Sequence, residues 1–500
     1  MKTQKKLCSQ KTENILKNKM KKWICLTLSL LMLTGALFGC KKKNNNGDDD
    51  TKAPDSVSTT DPDGSGEETK KELKFEDFSA NGTKREFTMM VRTNRYHYLY
   101  CEKDDPDRIK SETFKRNKYI EDNFGIKFNI FTPKDTAKDW SSALDTSDGS
   151  YDLAVPDYWW GLEQNGYFIN LLDRDELNFS DSYWYSGWND NVTIAGKMYS
   201  AAGDGTLEIL ENIEVVFYNK TMAANQQLDM YSLVDSGKWT IDEMLRINAL
   251  VSANLDDDDE SNNVYGALYD VHSQRSQLFS AGLKLTEISK ENGAITLTAD
   301  KQQNINVSQL VSRLIHNPYT RYDTATARAG NNQGPTLFTN QKAMFYATAL
   351  YLGTGLKASV KSFEYCIIPM PKYAEDDEYT STTYGASPFA IPKSAKDLHC
   401  SAVILDAINY LSKDSIVNTM FEIVMKGQVA QQYDDARMIE FARSKVYVDF
   451  AWIYDGVNGM KVFSAYQKAV TNNTSVTSEL ESVSGPSQEA LNKIMEYYRK

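Results

Sequence analysis

Histidine and cysteine are scarce in this chain, which has four His and six Cys among its 500 residues. The histidines are His97, His272, His316 and His399, scattered without the spacing of metal ligands. The H-E-x-x-H metal motif, the G-x-S-x-G nucleophile motif and a phosphate-binding glycine loop are all missing. The sequence therefore predicts a protein that is not an enzyme and that uses no metal and no cofactor.

The shortage of cysteine has a second consequence, because only Cys101, Cys366 and Cys400 remain after the first forty residues. Three thiols are too few for a disulfide framework.

Positive charge is also in deficit, with 56 Lys and Arg against 68 Asp and Glu and a formal net charge of -12. A strongly acidic chain is unsuited to nucleic-acid backbones and to anionic membrane surfaces, so we expect no nucleic-acid partner.

Aromatic side chains, in contrast, are abundant, with 29 Tyr, 20 Phe and 8 Trp. Large aromatic side chains dominate core packing, so many of them must be buried. Roughly 420 residues follow the N-terminal low-complexity segment, a length that predicts two or more domains.

The N-terminal region has the pattern of a bacterial secretory signal. Two lysines precede an apolar or small-residue stretch at 23–38, which is shorter than the ~20 apolar residues of a membrane-spanning helix. Leu37-Phe38-Gly39-Cys40 resembles the lipobox of bacterial lipoproteins, in which the cysteine becomes the lipidated N-terminus. We expect residues 1–39 to be a leader and signal peptide, and lipid on Cys40 to anchor the protein to the outer face of the cell membrane. An uncleaved signal anchor is the alternative.

Residues 41–70 contain no aromatic residue and almost no aliphatic one. Such a segment cannot bury enough apolar surface to offset the entropy of ordering, so we expect it to be disordered. Together with the lipidated cysteine it belongs to a predicted linker at 40–83, which lets the folded part stand away from the membrane.

The folded part begins with alternating strand and helix patterns. Strand patterns lie at 87–91, 126–131 and 151–155, with helical periodicity between them at 107–123 and around 140–144. This order predicts a parallel α/β sheet. Loops beyond the carboxyl ends of such strands form the ligand crevice, which places residues 93–96 and 157–160 on the same rim.

Several short motifs follow one another in a set order along the folded part. They are Ile194-Ala195-Gly196-Lys197-Met198-Tyr199, Gly237-Lys238-Trp239-Thr240, the F-x-x-x-x-A-M element at 338–344 and Pro369-Met370-Pro371-Lys372. In this order they resemble the elements of extracellular solute-binding proteins of ABC importers, of the maltose-binding-protein-like type. Gln341 departs from the pattern, because that family usually has glycine there.

The resemblance implies a two-lobed periplasmic-binding-protein-like fold of type II, with crossover strands that let the lobes close like a hinge over a ligand. By analogy, the crossovers lie near residues 211–216, 381–386 and 440–446. Lobe one would comprise 84–210 and 386–440, and lobe two 211–385 and 441–500. The resemblance also implies a monomer that delivers a small solute to ABC permease subunits, with a sugar or oligosaccharide as the favoured solute.

Carbohydrate recognition needs flat apolar faces and planar polar groups, so aromatic residues in the predicted cleft loops are the first candidates. Asp157, Trp159 and Trp160 directly follow a predicted strand. We expect at least one of the two tryptophans to be core and at least one to face the cleft. Arg95 and Tyr96 follow the first strand and are the second choice, with a solvated loop as the alternative.

Four further residues are candidates for ligand binding. Two come from the resemblance to the family, and two are tyrosines of the aromatic-rich sequence. Asn212 falls where the family places a polar hinge contact, although it could merely satisfy backbone groups. Trp452 occupies a position that resembles a second-lobe stacking residue, and a core role is equally open. Tyr351 and Tyr384 complete the set as weaker candidates, because tyrosine is abundant here.

The acidic run at 254–263 departs from a calcium loop, because Asp259 stands where glycine is required and no bidentate glutamate closes the loop. A solvated acidic loop is therefore favoured.

Two other functions stay open. Paired carboxylates have no local sequence signature, so a secreted, lipid-anchored glycoside hydrolase is the alternative. A surface adhesin would show β-sandwich strands rather than alternating strands and helices.

Overall fold

A computed structural model describes residues 73–255, 260–289, 291–325, 332–383, 385–425 and 432–499. The predicted signal peptide, Cys40, most of the predicted linker, Tyr384 and residues 256–259 of the acidic run lie outside the described residues. Within these ranges no helix has both the length and the apolar character to cross a membrane. Among the described residues, Cys101, Cys366 and Cys400 form no disulfide.

A smaller sheet forms the centre of the first lobe, with three parallel strands in the order β2-β1-β3. The elements are β1 (Arg85–Val91), α1 (Arg108–Asn123), β2 (Ile126–Phe131), α2 (Ala137–Asp145) and β3 (Leu153–Val155), followed by α3 (Ser186–Val192) and α4 (Glu208–Glu211). Phe87, Met89 and Val91 are fully buried, because both faces of a parallel sheet are covered. The first strands and helices lie where the sequence pattern predicted them.

A larger mixed sheet forms the centre of the second lobe, in the order β10-β4-β9-β5-β8. The strands are β4 (Glu214–Asn219), β5 (Tyr265–Asp270), β6 (Thr286–Ile288), β7 (Ile295–Leu297), β8 (Thr320–Asp323), β9 (Ala343–Ala349) and β10 (Tyr365–Pro369), of which β6 and β7 form a separate hairpin. The helices are α5 (Lys220–Asn225), α6 (Met230–Asp235), α7 (Ile241–Val251), α8 (Val271–Ser280), α9 (Gln302–Ile315), α10 (Gly334–Thr339) and α11 (Gly353–Ser359).

After β10 the chain returns to the first lobe, where Ala390 pairs with Ala154 and Phe389 with Ala201. Helices α12 (Leu398–Ser412) and α13 (Asn418–Met425) follow, joined by a π-helical turn at Lys413–Val417. The last helices are α14 (Gln432–Ser444), α15 (Phe450–Ile453), α16 (Val462–Asn472) and α17 (Val476–Arg499). Below, lobe one denotes residues 73–211 and 386–425, and lobe two residues 214–380 and 432–499.

Three chain segments run side by side between the two sheets. Ile213 pairs with Thr383, and Glu214 N donates to Thr382 O at 3.2 Å. Ser381 N donates to Lys445 O at 2.9 Å, and Tyr447 N donates to Ser381 O at 2.8 Å. The three connections between the lobes therefore form one hydrogen-bonded ribbon, the geometry that a hinge requires.

In two stretches the structure departs from the domain boundaries predicted from the sequence. Helix α14 packs on β10 of the larger sheet, where Asp435 Oδ1 accepts from Ile367 N and from the Tyr231 hydroxyl, both at 2.8 Å. Residues 432–440 thus belong with lobe two, whereas the analogy had assigned them to lobe one. At the other end, Phe78 N donates to Phe124 O at 2.9 Å, so part of the predicted linker packs on lobe one.

The segment after the third connection is fixed by one buried carboxylate. Asp449 is fully buried and accepts from the backbone N of Leu285 at 2.9 Å and of Ala451 at 2.8 Å. The hydroxyls of Thr286 and Tyr447 donate to it as well, at 3.1 and 2.8 Å. A buried carboxylate with this many donors pins the hinge segment to the β6–β7 hairpin of lobe two.

Gly187→Ala tests the packing of lobe one on the hinge. A Cβ at Gly187 would lie 1.6 Å from Val446 O, so the hinge ribbon would have to move. We expect the free energy of unfolding to fall by about 1–3 kcal/mol or more in urea denaturation. Gly355→Ala is the matched control, because a Cβ there meets no atom within 4 Å. Equal effects of the two substitutions would contradict the tight contact.

Candidate functional site

Buried ion pairs join the loop after β1 to the loop after β3. Arg92 directly follows β1, and its Nη2 lies 2.9 Å from Asp157 Oδ2. Arg92 Nη1 donates to Ser387 Oγ at 3.2 Å and lies 3.7 Å from Glu208 Oε1. The side chains of Arg92, Asp157 and Glu208 are 12%, 14% and 2% exposed. Charges this far from water must be paired, so these contacts fix the positions of both loops.

Glu208, in the helix just before the first hinge segment, is the centre of this network. Arg95 Nε donates to its Oε1 at 2.8 Å, and the Ser387 hydroxyl donates to its Oε2. Burial disfavours the charged form of Arg95, yet the attraction of Glu208 leaves the pKa of Arg95 above its ordinary value. Burial raises the pKa of Asp157, and Arg92 opposes that rise. Two arginines thus face two carboxylates, and the network has no net charge.

Asp157 also shapes the turn that carries the two tryptophans. Its carboxylate accepts from Trp159 N at 3.2 Å and caps a 3-10 turn at Tyr158–Trp160. Gly161 ends the turn with a φ of +59°, a conformation that glycine adopts without strain. The side chain of Trp159 is 41% exposed, whereas Trp160 packs on Trp140 with 5.4 Å between ring centroids.

Lobe two contributes an arginine and a tryptophan to the same place. The guanidinium of Arg275 lies 5.8 Å from the ring centroid of Trp159 and 5.4 Å from that of Trp452. Trp452 is 1% exposed and packs on Phe279 within lobe two at 5.5 Å. Its ring also meets that of Tyr158 from lobe one at 5.9 Å. Aromatic faces from both lobes and one cation therefore converge between the sheets.

The remaining predicted residues are spread around this centre. Tyr96 is 46% exposed in a 3-10 turn, beyond Arg95. Asn212 is buried at the end of α4, next to Gly385 in the second hinge segment. Tyr351 is half-buried in the turn after β9. Trp159, Arg95 and Asp157 thus share one network, while Asn212 lies at the hinge.

Sequence reasoning missed Arg92, Glu208 and Arg275. Arg92 had a signal, because it is the first residue after a buried strand in a loop that was already singled out. Glu208 pairs with Arg95 across 113 positions, a relation that no local pattern reveals. Arg275 lies in α8, where buried polar side chains such as Gln274 and Gln277 hide the apolar periodicity of a helix.

Each carboxylate at this site has fixed partners. Asp157 is held by Arg92, Glu208 by two arginines and Ser387, and Glu211 by the hydroxyl of Tyr98. Carboxylates engaged in this way are poor proton donors but good fixed acceptors for hydroxyl groups. Across the described ranges, no group of three His, Cys, Asp or Glu side chains is arranged to hold a metal ion.

An open surface cavity of about 620 Å³ lies elsewhere, on lobe two between α7 and α9. Asp242 and Arg313 form an ion pair with each other at its rim, and both are largely exposed. Exposed ion pairs contribute little and are well solvated, so this cavity lacks the fixed groups found between the lobes.

Comparison with known proteins identifies the fold. No protein-family model and no curated protein matches the sequence. A sugar transporter of Rhizobium etli in an open conformation is similar in structure, with a TM-score of 0.55, 14% identity, and coverage of 83% of this chain and 99% of that one. UgpB from Mycobacterium tuberculosis in complex with glycerophosphocholine has a TM-score of 0.52, 12% identity and coverage of 82% and 99%.

A third solved structure is the cyclic α-maltosyl-1,6-maltose binding protein from Arthrobacter globiformis. Its TM-score is 0.51 at 16% identity, and the match covers 82% of this chain and 99% of that one. Similarity at this level of identity shows the fold and leaves the ligand to be argued from the site. The chain has the two-lobed α/β fold of ABC-transporter solute-binding proteins, so the predicted fold class is confirmed.

Glu208→Gln tests the ion-pair network. The substitution keeps the shape of the side chain but leaves Arg95 without its carboxylate, so we expect the free energy of unfolding to fall by about 3 kcal/mol. Glu481→Gln, at an exposed position on α17, should change it by less than about 0.5 kcal/mol. Urea denaturation at one pH measures both. If Glu208→Gln left the free energy of unfolding unchanged, the ion-pair network would not stabilise the fold.

Proposed function

We propose that this protein is an extracellular solute-binding protein that captures a sugar or oligosaccharide for an ABC importer. The observation that carries the proposal is the convergence of Trp159 from lobe one with Arg275 and Trp452 from lobe two. A sugar presents flat C–H faces and a ring of hydroxyls, which match aromatic faces and fixed planar polar groups. The solved structures of similar fold include proteins described as binding or transporting sugars, which supports the same class of ligand.

Charge balance favours a neutral ligand. Arg92 and Arg95, the cations of lobe one at this site, are already paired with Asp157 and Glu208. An anionic solute would have to compete with these buried pairs, whereas sugar hydroxyls can donate to the carboxylates and accept from the guanidinium groups at the same time. The glycerophosphocholine complex shows that the fold also serves other solutes, so the ligand must be tested.

The proposed mechanism follows from the hinge. A ligand that contacts both lobes binds the closed arrangement better than the open one, so its binding shifts the population toward closure. The importer then recognises the closed form. The ribbon formed by the segments around residues 213, 382 and 446 supplies the flexible connection.

Anchoring by lipid on Cys40 is part of the proposal. Residues 21–40 have the two leading lysines, the short apolar stretch and the closing Gly-Cys pair of a lipoprotein signal. An acylated cysteine followed by a polar tether would keep the binding lobes on the outer face of the membrane, within reach of permease subunits.

A secreted glycoside hydrolase is the competing function. It needs one carboxylic acid that is free to donate a proton and a second carboxylate facing the same bond. Asp157, Glu208 and Glu211 are instead each held by arginine or hydroxyl partners, which favours a binding protein. Consumption of an oligosaccharide during a binding assay would support the hydrolase.

Trp159→Ala tests the ligand platform. A thermal-shift screen of the wild-type protein with neutral mono- and oligosaccharides should find a sugar that stabilises the native state, by about 4 kcal/mol at a thousandfold excess over Kd. For that sugar we expect Trp159→Ala, alone or with Trp160→Ala, to raise Kd roughly tenfold or more in calorimetry.

The matched control is Tyr119→Ala, which removes an aromatic ring of similar exposure far from the hinge. It should leave Kd unchanged. An unaltered affinity of the double tryptophan variant would remove this loop from the site.

Cys40→Ser tests the anchor. Serine has no thiol to accept the lipid, so we expect the variant to lose incorporation of a labelled fatty acid and to leave the membrane fraction. Cys25→Ser, inside the predicted signal peptide, should incorporate the label normally. Labelling of the Cys40→Ser protein would place the lipid, and hence the mature N-terminus, elsewhere.

A further inference from the structure

The C-terminal helix of lobe two reaches across to lobe one. Helix α17 packs mainly on α16, but its last turn meets Tyr199, in the segment that follows the 194–197 hairpin of lobe one. The ring centroid of Tyr199 lies 5.1 Å from that of Tyr498 and 5.7 Å from that of Tyr497. Tyr498 is 1% exposed, so this contact is closed to water.

Neighbouring contacts between the lobes lie along the same edge. Asn458 Nδ2 donates to Gln164 Oε1 at 2.8 Å, and Ala195 N donates to Gly293 O at 3.3 Å. A Cβ at Gly161 would lie 3.0 Å from Val457. The segment 161–166 of lobe one is therefore covered by residues 454–459 and by the end of α17, and these contacts must part when the lobes open.

A carboxyl group is enclosed at the centre of this edge. Glu163 is 5% exposed, and its Oε1 accepts from the Ser200 hydroxyl at 3.2 Å. Its carboxyl interacts electrostatically with the hydroxyls of Tyr454 and Tyr498, which lie 3.1 Å from each other. The titratable groups that interact with this carboxyl are Asp157, Tyr454, Tyr497 and Tyr498. Tyr199 packs on Tyr498, and the ammonium group of Lys393 lies beside Gly166.

We propose that Glu163, Tyr454 and Tyr498 form a proton-operated latch that holds the lobes together, a role that rests on the hinge closure of the proposed function. With the lobes together, Glu163 is 5% exposed and lies among tyrosine hydroxyls, so burial favours its neutral acid form. Ionisation places an uncompensated charge in this interface, and the lobes part to let water reach it. The tyrosines do not ionise in this cycle.

The direction of the pH effect follows from linkage. Burial raises the pKa of Glu163 to about 7, and Asp157 adds to the rise while Ser200 opposes it. In the parted state, exposed to water, the group would titrate near its ordinary pKa of 4.5. The closed state therefore binds one more proton between these two values. Closure is favoured at acidic pH and is lost as pH rises from 4.5 through about 7.

Hydroxyl-radical footprinting of the ligand-free protein tests the latch without requiring a known ligand. Tyr454 and Tyr498 are each 1% exposed and should gain reactivity only when the lobes part. We expect their oxidation rates to rise roughly tenfold between pH 5.5 and 8. Internal controls are Tyr119, 45% exposed and reactive at both pH values, and Tyr269, a β5 core residue that stays protected.

Glu163→Gln is the deciding variant, because its amide is neutral at every pH. Protection of Tyr454 and Tyr498 should then be the same at pH 5.5 and 8, whereas Glu481→Gln should keep the wild-type dependence. The proposal is overturned if wild-type protection does not change with pH, or if Glu163→Gln retains the change. Since no sugar is present, a failed sugar screen would count against the proposed ligand and not against the latch.

Discussion

The loops after β1 and β3 at the interlobe face depend on Glu208, a buried carboxylate placed one turn before the first hinge segment. It takes hydrogen bonds from Arg95 and from Ser387, which follows the second hinge segment, and lies near Arg92, which holds Asp157. The loops after β1 and β3 are therefore fixed relative to the hinge itself. A displacement of the hinge ribbon would therefore move these loops, and in the proposed function this couples lobe movement to the ligand.

This arrangement divides the interlobe contact into two parts with different chemistry. Near the hinge, ion pairs of balanced charge and the exposed face of Trp159 offer fixed acceptors and one apolar surface, as a neutral polyhydroxylated ligand requires. Along the edge, Tyr498 and Tyr454 from lobe two enclose Glu163 of lobe one. In the proposed mechanism, ligand contacts stabilise closure through the first part, and protonation of Glu163 stabilises the same closed state through the second.

Local patterns in the sequence predicted the local structure well. The strand 126–131 and the helix after Asp107 lie where the spacing of their apolar residues predicted them. Each element turns one face toward a single core. Trp159 and Trp160 were singled out because a strand end is a known place for ligand loops, and their role in binding stays a prediction. The partners of these residues could not be predicted. Arg95 meets Glu208 only in the folded chain, and α8 carries Arg275 among buried polar residues that erase the helical signature. Residues 432–440 were misplaced because contacts distant in sequence, those of Asp435 with Ile367 and Tyr231, assign them to lobe two.

We propose that one neutral solute is held by groups from both lobes. Hydrogen–deuterium exchange, measured with and without the sugar that stabilises the protein most, tests this claim directly. We expect added protection in both lobes at once, at residues 92–96 and 157–160 of lobe one and at residues 271–275 and 450–455 of lobe two. Protection confined to α7 and α9, around the open cavity at Asp242 and Arg313, would contradict it and would place the ligand on the outer surface of lobe two.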